Sequence, residues 1–197
     1  MAASLLKPWV AAALLCTALA GQAAEKVSCN QPIRFKSEGN LDVDFRSGKT
    51  IMHNVSISQC DVSITAARAE ATGLDFKDSH WLFSGDVHIN AEQQGSMHSD
   101  RAEVEFHDNL IAKATIKGNP AQFEQKHTDS GQMARGRAGQ IVYEVSTGTV
   151  RFAEDAWLTN GQNEISGPMC TYNIRLQKVQ CQQARITIVP KTAAEKP

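Results

Sequence analysis

The sequence is short of the features that most activities leave behind. Only 6% of its 197 residues are aromatic, and the formal net charge is −1. It has no basic stripe, so it lacks the electrostatic footprint of a nucleic-acid binder and no such partner is expected. Five cysteines are present, but none in the short Cys-x-x-Cys or Cys/His spacings that hold zinc. Neither Gly-x-Ser-x-Gly nor His-Glu-x-x-His occurs. Ser47-Gly48-Lys49-Thr50 has the look of a phosphate-loop ending. Val43 stands where its first glycine is needed, and no helical pattern follows. The histidines are scattered: His53, His80, His88, His98, His107 and His127. His98-x-Asp100 reads as an exposed polar pair on one strand rather than half of a metal site. Asn54-Val55-Ser56 fits a glycosylation acceptor as an incidental match. No catalytic residue, metal set or cofactor is assigned, and the chain is not expected to be an enzyme.

What is there begins with a leader. Lys7 precedes an apolar run from Trp9 to Ala20, followed by Gly21-Gln22-Ala23-Ala24. This is the layout of a secretory signal peptide over residues 1–24, with cleavage after Ala20, Ala23 or Ala24. The run falls short of the roughly 20 residues that span a bilayer. An uncleaved anchor is the competing expectation. Cys16 is not read as a lipoprotein cysteine, because Leu15 occupies a position that needs a small residue. Removing the leader leaves Cys29, Cys60, Cys170 and Cys181, an even set in an exported chain. Two fall early and two late, which favours Cys29–Cys60 and Cys170–Cys181 among three connectivities. The second pair flanks a hairpin expected over Tyr172 to Val179.

Beyond the leader, period-two alternation replaces helical periodicity. Examples are Leu41-Asp42-Val43-Asp44-Phe45, Val87-His88-Ile89 and Val104-Glu105-Phe106. Turn signals recur at Ser47-Gly48, Ser84-Gly85, Gln94-Gly95, Asp108-Asn109, Gly118-Asn119-Pro120, Thr147-Gly148, Asn160-Gly161 and Ser166-Gly167-Pro168. Short strands separated in this way predict a sandwich, barrel or roll over residues 25–190, with a disordered tail at 191–197.

A repeat lies beneath the alternation. Corners at Asn54, Gly85-Asp86, Gly118-Asn119 and Glu154-Asp155 each lead into an alternating strand. A second strand follows each: Ile64 to Ala71, Met97 to Phe106, Ala134 to Val145, and Ile165 to Tyr172. These carry a small residue in turn, namely Ala69, Ala102, Ala138 and Cys170. The period of roughly 33 residues suits stacked units that bury a continuous interior only together. The apolar set predicted to face inward is Phe35, Ile57, Ile64, Phe76, Phe83, Ile89, Met97, Val104, Phe106, Ile116, Phe123, Tyr143, Phe152 and Leu158. Such residues form either a filled core or a channel suited to acyl chains. The terminal strands, around Ile33 and Phe35 and around Ile186 and Ile188, have no further repeat to pair with. Open edges of this kind are templates for association.

The order of these motifs resembles the LptA/OstA family of periplasmic lipopolysaccharide-transport proteins. Gln31-Pro32-Ile33-Arg34-Phe35-Lys36-Ser37 is similar to its opening strand. Ser84 to Ile89 and Ser99 to Val104 resemble its repeating unit. Lys117 to Gln125, followed by Gly136 to Tyr143, is the nearest likeness. Two units depart from the pattern: Asn54 lacks a preceding glycine, and Glu154-Asp155 stands where Gly-Asn or Gly-Asp is usual. The resemblance implies a twisted, open β-jellyroll whose interior holds the acyl chains of lipopolysaccharide. It also implies head-to-tail stacking through the terminal edges, bridging an LptC-like inner-membrane protein to an LptD-like outer-membrane protein in the periplasm. A membrane-anchored LptC-like component is the alternative within that pathway. Outside it stand a β-helix enzyme acting on polysaccharide, which would need clustered carboxylates or a metal on one face, and a structural or adhesive β-protein.

Overall fold

The computed structural model describes residues 31–72, 77–92, 94–127 and 131–188. The leader, Cys29, Phe76 and the tail at 191–197 lie outside them. Twelve strands form one sheet. They are β1 (Arg34–Ser37), β2 (Leu41–Asp44), β3 (Lys49–Gln59), β4 (Val62–Thr72), β5 (Asp78–Ala91) and β6 (Gly95–His107). Then come β7 (Leu110–Lys126), β8 (Met133–Glu144), β9 (Thr149–Thr159), β10 (Asn163–Asn173), β11 (Lys178–Gln182) and β12 (Arg185–Ile188). From β3 to β11 each strand pairs antiparallel with the next. β1 and β2 share the outer edge of β3, and β11 and β12 share that of β10. The expected all-β, open antiparallel roll is the fold observed.

The strands are longer than the turn signals predict. Ser84-Gly85, Gly118-Asn119-Pro120 and Ser166-Gly167-Pro168 do not separate strands but lie inside β5, β7 and β10. They are bulges. Register shifts fall at Thr65/Arg68, Ser84/Val87, His98/Arg101, Lys117/Ala121, Arg137/Gln140 and Gly167/Met169. On the odd strands the backbone enters the left-handed region at Asn54 (φ 48°), Gly85 (77°), Asp86 (49°), Glu154 (66°) and Asp155 (62°). A bulge bends its strand and increases its local twist. Stacked across neighbouring strands, these bulges crease the sheet into two facing halves.

Alternation survives the crease by losing one beat. β4 buries Ile64 and Ala66, then Ala69 and Ala71. β6 buries Met97 and Ser99, then Ala102, Val104 and Phe106. β8 buries Ala138 and then Ile141. A step of three at the crease keeps the same face inward on both sides of the bend. The small residues read from the repeat sit here: Ala69, Ala102 and Ala138 are each buried at or beside the crease. A Cβ on Gly85 would approach Ala67 Cβ to 2.9 Å, so close strand contact there requires small side chains.

Candidate functional site

The interior is one apolar cluster running from Met52 on β3 to Ile174 beyond β10. It contains Ile57, Ile64, Phe83, Ile89, Met97, Val104, Phe106, Ile116, Phe123, Tyr143, Phe152 and Leu158, all from the predicted inward set. Phe35 is 40% exposed at the N-terminal edge and stacks on Trp81, ring centroids 5.7 Å apart. Phe76 lies outside the described residues. Sequence reasoning missed Trp81, Val87, Ile141 and Val150, each fully or almost fully buried. The signal was available for two of them: Trp81 lies two residues from Phe83, and Val87 two from Ile89, on the same strand face. Leu82 between them points outward and is 49% exposed.

The packing is dense. Trp81 stacks on Phe83 at 6.2 Å, and Phe123 meets Phe152 and Tyr172 edge-on at 5.9 and 6.0 Å. The Phe152 ring lies over Gly136 so closely that a Cβ there would sit 2.4 Å from it. Among the described residues the buried polar side chains are Thr50, Ser99 and Gln125, and no charged side chain is buried. The ion pairs lie on partly or largely exposed positions, among them Lys49–Glu70–Arg68, Lys113–Glu105 and Arg135–Glu124. Pairs of this exposure contribute little to stability. The described interior is therefore almost wholly apolar.

Among the described residues, two of the cavities open into this interior. The first, about 230 Å³, is bounded by Ile64, Ile89, Ala91, Val104, Ile111, Ala114 and Tyr143. The second, about 260 Å³, has Phe123, Leu158, Ile165 and Tyr172 on its floor and His127, Arg135, Asn160, Asn163 and Gln177 around it. A tyrosine closes each one across the roll. The Tyr143 hydroxyl donates to Gln94 Oε1 in the β5–β6 turn. The Tyr172 hydroxyl donates to Gln125 Oε1 at 2.8 Å and lies 3.2 Å from His127 Nε2. Burial pushes the Tyr143 phenol up to about 12, and burial raises Tyr172 as well. Both hydroxyls therefore remain protonated donors at neutral pH. The glutamines escaped the sequence reading because a polar residue at a strand end carries no periodic signal.

The two ends of the sheet gather exposed apolar side chains. The large hydrophobics exposed among the described residues are Phe35, Leu41, Phe45, Leu82, Leu176, Ile186 and Ile188. Phe35, Leu41, Ile186 and Ile188 lie on β1, β2 and β12, Phe45 follows β2, and Leu176 lies in the β10–β11 turn. Ile33 is partly buried against the core, whereas Ile186 and Ile188 are 63% and 71% exposed. Cys170 and Cys181 are cross-strand partners on β10 and β11 and form a disulfide, with Cα atoms 4.1 Å apart. Cys60 is disulfide-bonded too, and its expected partner Cys29 lies outside the described residues.

These features agree with what the chain is similar to. The crystal structure of LptH from Pseudomonas aeruginosa, described as the LptA homologous periplasmic component of the conserved lipopolysaccharide transport device, shares this fold. It superposes with a TM-score of 0.55 at 17% identity, over 81% of this chain and 96% of that one. No curated protein matches the sequence. The family model of the LptA/(LptD N-terminal domain) LPS transport proteins matches residues 64–178, from the first complete repeat strand to the start of β11. With more than half its length matched, this chain belongs to the LptA/LptD N-terminal domain family of lipopolysaccharide-transport proteins.

Proposed function

We propose that this protein is a periplasmic bridge component that holds the acyl chains of lipopolysaccharide inside the roll and passes them along a head-to-tail series of copies. The observation that carries this reading is the continuous apolar interior, free of buried charge and opening into a cavity walled by Ile64, Ile89, Val104 and Ile111. Acyl chains need apolar area and no directed hydrogen bonds. In this reading the inward residues from Ile57 to Leu158, with Phe35 at the mouth, form the lipid path. Phe76 belongs to the same proposal. Transfer along the path is passive and requires no catalytic group.

Bridging is supported by the terminal edges. β1 and β12 each present an outer strand edge flanked by exposed apolar side chains. Strand addition at such edges joins copies without closing a ring. Ile33 and Phe35 at one end, and Ile186 and Ile188 at the other, would form that junction. The same edges would meet an LptC-like protein on the inner-membrane side and an LptD-like protein on the outer-membrane side. The Cys170–Cys181 disulfide suits an oxidising compartment such as the periplasm.

Lipopolysaccharide co-purifying with the exported protein is the test, read by mass spectrometry. The wild type is expected to carry it, and Phe83→Asp and Phe123→Asp are expected to lose it while the protein is still exported. Normal lipid content in both variants would refute the interior path. The apolar run from Trp9 to Ala20 keeps the membrane-anchored LptC-like alternative in view. A free N-terminus near Gly21 or Glu25 on the exported protein would exclude it.

A further inference from the structure

The outer face of the β5–β6 hairpin carries a cluster that the transport reading does not use. His88 and His98 are direct cross-strand partners. Their rings stack with centroids 4.4 Å apart and planes within 15°. Both Nε2 atoms point to one oxygen, Asp86 Oδ1, at 3.1 Å from His88 and 3.0 Å from His98. The three potential ligand atoms all lie within 4.8 Å of one another.

The backbone explains the convergence. Plain alternation places Asp100 beside His98, the pairing that the sequence suggests. Asp86 lies two residues before His88 on β5, at the bulge it forms with Gly85, both in the left-handed region, and its carboxylate meets both imidazoles. Asp86, His88 and His98 then hang from two paired strands in the middle of the sheet, a more rigid mounting than a loop.

We infer that Asp86, His88 and His98 form a binding site for a divalent transition-metal cation, with zinc the best fit. Two imidazole nitrogens and one carboxylate oxygen are the ligand types that zinc accepts, and three protein ligands leave a fourth position for water. A tetrahedral site with bonds of about 2.0–2.2 Å has edges of about 3.3–3.6 Å. The two nitrogen-to-oxygen separations need lengthen by only a few tenths of an ångström to meet that value. Each imidazole would bind through its Nε2 lone pair and carry its proton on Nδ1.

Other polar pairs on the same hairpin provide the internal control. His80 meets Glu103, and His107 meets Asp78. His107 also lies 3.6 Å from Asp108, through its other ring nitrogen. Each group has only one imidazole, a weaker donor set than two imidazoles converging on one carboxylate oxygen.

The experiment is zinc chloride titration of the exported, disulfide-bonded protein, followed by calorimetry and by imidazole 15N chemical shifts. One zinc per chain is expected, with the Nε2 resonances of His88 and His98 moving together. His88→Ala and His98→Ala should each weaken binding at least about tenfold, since loss of even an outer-shell partner costs that much. A variant carrying His80→Ala and His107→Ala together should bind as the wild type does. All these side chains are exposed, so circular dichroism of each variant should match the wild type. The site is overturned if no saturable stoichiometry appears. Affinity unchanged from the wild type in both His88→Ala and His98→Ala would overturn it as well.

Discussion

The two cavities of the roll share a construction and differ in chemistry. Each lies between facing halves of the creased sheet, and each is closed by a tyrosine donating to a glutamine from the opposite half. The first is walled mainly by aliphatic side chains, among them Val62, Ile64, Ile89, Val104, Leu110 and Ile111, with Gln59, Asp61, Glu92 and Gln94 also lining it. The second is ringed by His127, Arg135, Asn160 and Asn163. The repeat therefore copies backbone geometry and the position of the clasp, while the side chains that line the two cavities differ. Under the proposed function, the more aliphatic first cavity is the one that would take acyl chains.

The largest expected effect separates the two. Ile111→Asp puts a carboxylate into the aliphatic cavity, where an unpaired charge costs several kcal/mol. Lipopolysaccharide content should fall at least about tenfold, since about 1.4 kcal/mol already corresponds to that factor. Asn163→Asp at the rim of the polar cavity should leave content nearly unchanged. Equal losses, read by mass spectrometry, would erase the distinction between the cavities.

The clasps should break unequally. Tyr172→Phe strands Gln125, which is only 7% exposed, and an unsatisfied buried acceptor costs about 1–3 kcal/mol. Tyr143→Phe releases Gln94, a less buried partner in a turn, and should cost about 0.5–1.5 kcal/mol. Denaturant melts of the two variants measure the difference. The reverse order would show that the clasps do not act as drawn.

A pH dependence belongs to the first clasp. The Tyr143 phenol is raised in the folded protein from 10.0 to about 12. Its contribution is complete below the unfolded value, near pH 10, and is lost as pH rises toward 12. Thermal midpoints should fall across that window more steeply in the wild type than in Tyr143→Phe. Parallel curves would place Tyr143 in water.

The smallest effect is at the crease. Glu154 adopts φ 66°, where a residue with a Cβ is strained by about 1–2 kcal/mol, and glycine is free of that strain. Glycine also loses about 0.5–1 kcal/mol through its freer unfolded chain. Glu154→Gly should therefore stabilise the protein by about 0.5–1 kcal/mol. A lower thermal midpoint would mean that Glu154 makes a compensating contact.

Much of this was legible in the sequence, for identifiable reasons. Alternation exposes which side chains face inward, so Ile64, Phe83, Ile89, Val104, Phe123 and Phe152 were predicted from their spacing. The hairpin around Tyr172 to Val179 carried its own cysteine bracket. What alternation hides is the bulge. Gly85-Asp86 and Gly118-Asn119-Pro120 read as turns because glycine and asparagine suit both a turn and a left-handed bulge. That ambiguity shortened the predicted strands and joined His98 to Asp100 in place of Asp86. Contacts across the roll, such as Tyr143 with Gln94, depend on how the two halves fold together, and no local pattern records them.

The proposed lipid path runs inside the roll. A photoreactive amino acid at Ile111, facing the aliphatic cavity, is to be compared with one at Leu82 on the outer face. Irradiation of cells is predicted to give a lipopolysaccharide adduct from Ile111 and none from Leu82. Adducts of equal yield at the two positions, or an adduct from Leu82 alone, would contradict it.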